Sequence, residues 1–156
     1  GGGTAPARAP EEPDVRGVED LLTYLVEPDG VKVHLSLWDT CTREYYDRLR
    51  PLSYPPTDIC LFVFSLADRE SFLNVERRWL REVTHHIPGV ARLLVGTNAD
   101  AGHEGRDREV TGEEAMALAR SHGFLGYYEV CACPEVGGPG VKSVLWFAAR
   151  TAVHQV

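Results

Sequence analysis

The sequence predicts an α/β protein with a mostly parallel sheet, one antiparallel hairpin at the sheet edge, and helices on both faces. Three observations indicate this architecture: two apolar segments joined by a Pro-Asp-Gly turn, a continuously apolar run at 59–66, and helical patterns that alternate with further apolar segments. Strands that alternate with helices are typical of parallel sheets covered on both sides. We therefore expect one layered core.

The hairpin is predicted from residues 21–26 and 31–38, which flank the turn sequence Glu-Pro-Asp-Gly. Proline, aspartate and glycine favour tight turns, and two apolar runs on either side of such a turn indicate antiparallel pairing. In the second run Val31, Val33, Leu35 and Leu37 alternate with more polar residues, as in a half-buried strand.

The remaining elements follow from hydrophobic periodicity. Residues 59–66 are apolar on both faces, which predicts a central strand covered on two sides. Thr111 and Glu114 have the spacing of a capping box, so they predict the start of a helix. Further strands are predicted at 92–96 and 126–132, and helices at 69–83, 111–123 and 141–153.

Composition restricts the class of protein. The 156 residues suffice for one domain, predicted at 17–156, after a flexible Gly/Pro/Ala-rich segment at 1–16. A net charge of −7 argues against a nucleic-acid surface, so the expected partners are proteins or small molecules. Four cysteines without framework spacing and no long apolar run predict a cytoplasmic protein.

Polar residues follow several of the predicted strands. Asp39 follows the second strand, Asp100 follows the strand at 92–96, and the sequence Cys-Ala-Cys ends the last strand. Ligand sites of α/β sheets lie at the carboxyl ends of the strands, so these turns should converge on one rim. In nucleotide switches, one such carboxylate approaches Mg²⁺ through water and another accepts hydrogen bonds from guanine.

From about Val18 onward the sequence resembles the Rho family of small GTPases. The resemblance rests on the segments LWDT, YYDRLRPLSYPPTDICLFVFSL and REVTHHIPGVARLLVGTNAD, followed in order by YYEVCA and VKSVLWFAA. It implies the Ras-like P-loop NTPase fold with six strands, GTP or GDP and Mg²⁺ as ligands, and protein effectors or regulators as partners. It also implies that Asp39 approaches Mg²⁺ through water.

The catalytic motif departs from the family pattern. Asp39 and Thr40 match the family, but Cys41, Thr42 and Arg43 replace its Ala-Gly-Gln. The family's glutamine orients the attacking water, whereas the Arg43 guanidinium has only donors and cannot accept a hydrogen bond from that water. We therefore predict no catalytic residue on this chain and crippled GTP hydrolysis.

The base-recognition loop is half preserved. Thr97 and Asp100 match the family pattern Thr/Asn-Lys-X-Asp, while Asn98 replaces the lysine. The resemblance implies that Asp100 accepts hydrogen bonds from guanine and that the Ala132 N–H meets the guanine oxygen. Cys131 stands where the family has serine.

The phosphate-binding sequence of the family, Gly, four residues, then Gly-Lys-Ser/Thr, does not occur in these residues. Gly17 aligns with the family's Mg²⁺-binding threonine. Losing about five charge-assisted hydrogen bonds of roughly 2 kcal/mol each would remove about seven decades of affinity. Either this sequence is an N-terminally incomplete piece of a longer protein whose first strand and phosphate loop have been cut away or replaced, or it is a degenerate member of the family that keeps the fold for protein contacts and binds neither nucleotide nor Mg²⁺.

The protein-contact surface is expected at Tyr45, Tyr46, Arg48 and Leu49, which match the family's switch II segment. Aromatic and arginine side chains are common at interface hot spots. The C-terminal sequence TAVHQV has no prenylation cysteine, so no membrane anchor is predicted. Two functions remain open: a guanine-nucleotide switch with impaired chemistry, or a nucleotide-independent pseudoGTPase interaction module.

Overall fold

The computed structural model describes residues 21–26, 32–40, 47–48, 50, 54, 56–102, 107–131 and 140–154. Its strands are β1 (Leu21–Val26), β2 (Lys32–Leu37), β3 (Ile59–Ser65), β4 (Ala91–Thr97) and β5 (Tyr127–Glu129). Its α-helices are α1 (Arg69–Asn74), α2 (Arg81–His86), α3 (Gly112–Ser121) and α4 (Val141–His154), and a π-helical segment, Val75–Leu80, joins α1 to α2.

The strands form two sheets. β1 and β2 pair antiparallel, with Leu21 opposite Leu37 and Val26 opposite Lys32. β3, β4 and β5 form a parallel sheet in that order. The predicted hairpin and parallel strands are therefore confirmed. The resemblance implied six strands; the described part of the chain has five, and within it no strand pairs with the outer edge of β3.

Helices cover the two faces of the parallel sheet differently. Phe62 and Phe64 of β3 belong to the main core together with Phe72 and Val75 from the helical segment and Leu118 from α3. On the opposite face, a smaller core joins Val95 of β4 to Val130 and Val144, with Val144 supplied by α4. Helices thus pack on both faces, as the strand and helix alternation predicted.

One prediction for β3 is wrong. The continuously apolar run was expected to be covered on both faces, but Val63 is 53% exposed, whereas Phe62 and Phe64 are 3% and 2% exposed. Val63 lies opposite Val95, on the face that packs against Val144 of α4, and the described residues on that face cover Val95 and leave Val63 exposed. The last predicted strand is also shorter than 126–132, since it spans Tyr127–Glu129.

The predicted helix at 69–83 is found, with an irregular centre. The Asp68 carboxylate caps its start by accepting from the Glu70 and Ser71 N–H groups. The capping box at the start of α3 is confirmed, since Thr111 and Glu114 exchange both hydrogen bonds. None of the described helices has the length and apolar character needed to cross a membrane. The predicted flexible segment 1–16 and the hairpin turn at 27–30 lie outside the described residues.

Candidate functional site

The loops after β4 and β5 meet at the carboxyl end of the parallel sheet. The Val130 N–H donates to the Gly96 carbonyl at 2.8 Å, and the Ala99 N–H donates back to the Val130 carbonyl at 3.1 Å. These two bonds hold the loop with Thr97, Asn98 and Asp100 beside the loop with Cys131. The two halves of the predicted base-recognition site therefore lie together, as expected for loops at one rim.

The first of these loops is fastened to the end of β3. The Thr97 hydroxyl donates to the Phe64 carbonyl at 3.0 Å, and the Asn98 side-chain amide donates to the Ser65 hydroxyl at 2.6 Å. Asn98 has a φ of 55°, a left-handed conformation that asparagine tolerates better than most residues. The Ala101 N–H closes the turn on the Asn98 carbonyl at 2.8 Å. Asn98 therefore holds the loop in place through Ser65.

Ser65 is a site residue that the sequence pattern did not reveal. Its hydroxyl accepts from Asn98 and also from the Ala67 N–H at 3.2 Å, so it joins the ends of β3 and β4. A serine at the end of a strand is common in sequences. The role of Ser65 becomes visible only in the structure, where the Asn98 side chain from the neighbouring strand end donates to it. Asp100 and Cys131 are half-buried, and both make interactions of their own. Ala132 lies outside the described residues.

The described residues fit the two parts of a nucleotide site unequally. They include the predicted base-recognition loop, in which Thr97, Asn98 and Asp100 lie in a defined turn. Asp39 is exposed and follows β2, which belongs to the other sheet. Within the described ranges, no group of three or more acidic, histidine or cysteine side chains is placed to hold a metal ion.

Of the predicted protein-contact residues, only Arg48 is described, and it is exposed. Tyr45, Tyr46 and Leu49 lie outside the described residues, as does Arg43 at the position of the family's glutamine. Their roles stay predictions.

Next to Arg48 the structure contains a set of side chains, the Trp79 cluster, that sequence reasoning missed. The buried Arg50 donates to Glu82 at 2.6 Å and to Asp47 at 2.8 Å, and its guanidinium lies 4.8 Å from the Trp79 ring centroid. The cluster comprises Asp47, Arg50, Tyr54, Arg78, Trp79 and Glu82.

The other members complete this cluster. Arg78 donates to the same Asp47 oxygen at 2.8 Å and lies 4.2 Å from the centroid of the Trp79 ring. Tyr54, which is 8% exposed, donates its hydroxyl to the second oxygen of Glu82. Arginine over an indole face gains cation–π attraction, and each charge here has a partner of opposite sign. The cluster joins the 47–54 segment to the helix that follows β3.

The electrostatics of the cluster follow from these contacts. Hydrogen bonds from Arg78 and then Arg50 lower the pKa of Asp47. Burial disfavours the charge on Arg50, but hydrogen bonding to Asp47 and the charge of Glu82 outweigh it and raise the pKa of Arg50. Burial and the hydrogen bond to Glu82 raise the pKa of Tyr54. All three groups therefore keep their neutral-pH charge states over a wide pH range.

The fold and the rim define the general class. A parallel sheet has helices on both faces, and a Thr-Asn-Ala-Asp turn lies at the carboxyl end of its central strand, which is where open α/β sheets bind their ligands. The family model described as "Ras family" matches residues 12–151. The chain is also 39% identical over 137 residues to the GTP-binding protein RHO1 of Saccharomyces cerevisiae (strain ATCC 204508 / S288c), a match that covers 82% of this chain.

The chain therefore belongs to the Ras family, and within it to the Rho-type small GTPases. The match spans 64% of the length of the yeast protein.

Proposed function

We propose that this chain is a Rho-type domain of guanine-nucleotide switch signalling in which GTP binding and hydrolysis are impaired or absent. The observation that carries the proposal is the hydrogen bond from Asn98 to Ser65 at 2.6 Å. This hydrogen bond keeps the turn of the predicted base-recognition loop. At the position of Asn98 the Rho-type pattern has a lysine that lies along the base, whereas the shorter Asn98 amide binds Ser65 instead. Asp100 retains the carboxylate for guanine.

Two sequence features support the same proposal. The 156 residues contain no Gly-x-x-x-x-Gly-Lys-Ser/Thr sequence, so the chain offers no backbone cradle and lysine for phosphates. Arg43 replaces the glutamine that orients water. The expected ligands are GTP or GDP with weak affinity, and Asp39 is the one predicted contact to Mg²⁺, through water. The expected place of action is the cytoplasm, with protein effectors or regulators as partners.

The experiment is a titration of the purified chain with fluorescent GDP and GTP, with and without Mg²⁺. We expect a Kd of about 1 mM or weaker and no difference between the two Mg²⁺ conditions, because phosphate and metal contacts supply most of the affinity of a complete site. Asp100→Asn is the matched variant, since it removes the charge that guanine needs and changes little else. Micromolar, Mg²⁺-dependent binding that Asp100→Asn weakens would contradict the proposal.

A second function is favoured by the Trp79 cluster: a nucleotide-independent interaction module that uses Tyr45, Tyr46, Arg48 and Leu49. Asp47 and Arg50 lie on either side of Arg48 in the sequence, and they are bound by Arg78 and Glu82 of the helical segment.

Amide hydrogen exchange tests the second function. Peptides covering residues 44–54 should exchange at the same rate with and without 1 mM GDP and Mg²⁺, and faster in Glu82→Gln, which loses the charge that binds Arg50. Slower exchange on adding nucleotide would show a switch segment instead of a preformed surface.

A further inference from the structure

The solvent-facing side of α3 carries two opposite charges around an apolar centre. Glu113, Met116, Ala117 and Arg120 are spaced i, i+3, i+4 and i+7, so they lie on one face of the helix. All four residues are exposed, whereas the three buried residues of α3 lie on its opposite side, toward the core. We call the exposed side, defined by these four residues, the α3 face.

A groove runs along the α3 face. One of its walls is the α3 face itself, and the other wall is β5, from which Tyr127, Tyr128 and Glu129 line it. The volume of this α3 groove is about 610 Å³. Met116, which is 39% exposed, lies near the middle of the helical wall. The α3 groove is therefore large enough to receive side chains of a second molecule.

The two charges of the α3 face have no ionic partner in the described part of the chain. Neither Glu113 nor Arg120 forms an ion pair there, whereas Glu129, the other charged residue along the groove, is paired with Arg108. Seven residues of α-helix separate Glu113 from Arg120 by about 10 Å along the axis. One end of the α3 face is therefore negative, and the other end is positive.

This arrangement of charges is complementary to itself. If two copies of α3 lie antiparallel across a two-fold axis near Met116 and Ala117, Glu113 of each copy faces Arg120 of the other. A two-fold interface uses the same patch on both copies, so this contact occurs twice. The apolar residues then meet in the middle and the charges lie at the rim, which is the usual division of a protein interface.

A second copy of the chain matches the α3 face better than a partner of one charge sign. A basic partner would place a like charge opposite Arg120, and an acidic partner would place one opposite Glu113, which disfavours association. Two chains of net charge −7 repel each other at long range, but physiological salt screens this repulsion beyond about 8 Å. The contacts between Glu113 and Arg120 act at shorter range.

We propose that the α3 face and the α3 groove form the interface of a symmetric dimer of this chain. Glu113 and Arg120 pair twice across the interface, and Met116 of each copy packs into the groove of the other. A contact built on a helix of 10 residues is small, so the dimer is reversible, with a Kd between about 10 μM and 1 mM. The proposal does not depend on nucleotide binding.

Sedimentation equilibrium of the full chain, at concentrations from about 10 μM to 1 mM in physiological salt, measures the dimer. Glu113→Arg and Arg120→Glu should each weaken dimerisation at least tenfold, because each turns two attractive contacts into two repulsive ones. The double variant, with both substitutions, exchanges the two charges and keeps the face complementary to itself. It should therefore dimerise as the native chain does.

The two single variants also test each other. Mixed in equal amounts, Glu113→Arg and Arg120→Glu should form a heterodimer, since each then supplies the charge that the other lacks at both contacts. Mixing would not repair damage to the fold of either variant. Arg77→Glu is the matched control, because it makes the same charge change at an exposed arginine of the π-helical segment, outside the α3 groove, and should leave the Kd unchanged.

Three outcomes would overturn the proposal. The first is a native chain that stays monomeric up to about 1 mM, which would leave the α3 groove to a different occupant. The second is a dimer that both single variants leave unchanged. The third is a dimer that the single variants weaken but that neither the double variant nor the mixture restores, because the two charges would then not face each other.

Discussion

The guanidinium of Arg50 is a charge placed almost entirely out of water. Its side chain is 1% exposed, and the charge is balanced by Glu82 and Asp47 on one side and by the Trp79 ring on the other. Burying a charge in this way adds little net stability, because desolvation offsets the attraction between the ions. Removing one partner is different, since the remaining charge stays buried without compensation.

Arg50→Met therefore should lower the free energy of unfolding by about 3 kcal/mol, because it leaves the half-buried carboxylate of Glu82 without the charge that balances it. Arg78→Met is the control. Arg78 also lies over Trp79 and binds Asp47, but it is more exposed, so its loss should cost below about 1 kcal/mol. Urea unfolding followed by tryptophan fluorescence measures the free energy of unfolding of both variants. If the two variants lose equal stability, the burial of Arg50 does not determine its contribution.

Contacts between residues that are far apart in the sequence are the ones that sequence analysis could not predict. Asp39, Thr97 and Asp100 were identified because each follows a strand or matches a local pattern. The Trp79 cluster joins Asp47 to Arg78, 31 positions apart, and Arg50 to Glu82, 32 positions apart. No periodicity links them, and an arginine in a polar segment is normally exposed. The pairing of Asn98 with Ser65 has the same long-range character.

At the scale of elements, the start of α3 depends on the ionisation of Glu114. Hydrogen bonds from the Arg69 side chain and then from the Thr111 main chain lower the pKa of Glu114 from 4.5 to about 2. A carboxyl whose pKa is lowered on folding contributes stability above its unfolded pKa, and this contribution is lost as the pH falls through the folded pKa.

Glu114→Gln should therefore destabilise the protein at pH 7, and the difference from the native protein should shrink as the pH falls from 4.5 toward 2. Unfolding free energies measured across that range provide the check. Glu113→Gln changes the adjacent first-turn carboxylate, which is outside the capping box, and should give a smaller difference at pH 7. A Glu114→Gln effect that is constant from pH 7 to pH 2 would exclude the ionic origin.

Near the carboxyl end of β4 there is no space for a side chain at Gly96. A Cβ atom there would lie 3.1 Å from the Leu66 Cγ and the Tyr127 hydroxyl, and 3.2 Å from the Phe64 ring. Gly96→Ala should destabilise the protein by about 1–3 kcal/mol through overpacking. Gly140→Ala is the matched control, because nothing lies within 4 Å of its Cβ position. Thermal unfolding of both variants tests this, and equal melting temperatures would contradict it.

The π-helical segment is a feature that hydrophobic periodicity did not predict. Phe72, Val75, Trp79 and Val83 recur at helical spacing in the sequence, and the structure buries three of them, together with Leu80. Trp79 packs partly buried against the main core, and it also lies against Arg50 and Arg78 in the part of the helix that has the wider turn, Val75–Leu80. Sequence predicts that a helix exists, since that signal is local. It does not predict the wider turn, which depends on tertiary contacts.

For the whole molecule, nucleotide binding can be measured through its effect on the free energy of unfolding. A ligand that binds only the folded chain raises the free energy of unfolding according to its concentration relative to Kd. With a Kd of about 1 mM or weaker, 1 mM GDP with Mg²⁺ should add at most about 0.4 kcal/mol, whereas a nanomolar site would add about 8 kcal/mol.

Urea unfolding of the intact chain with and without 1 mM GDP and Mg²⁺ distinguishes these cases. We expect overlapping curves, and ATP serves as a control for effects of phosphate charge. A shift of several kcal/mol that GDP gives and ATP does not would demonstrate a working guanine site.

The division of the strands into two sheets has a consequence for biosynthesis. The β1–β2 hairpin is the first described element to leave the ribosome, and a two-stranded hairpin alone is marginally stable in water. The helix that contacts β2 is α4, which is translated last among the described elements. The hairpin therefore cannot pack against α4 until nearly all of the described chain has been synthesised, and during that interval it is accessible to chaperones and proteases.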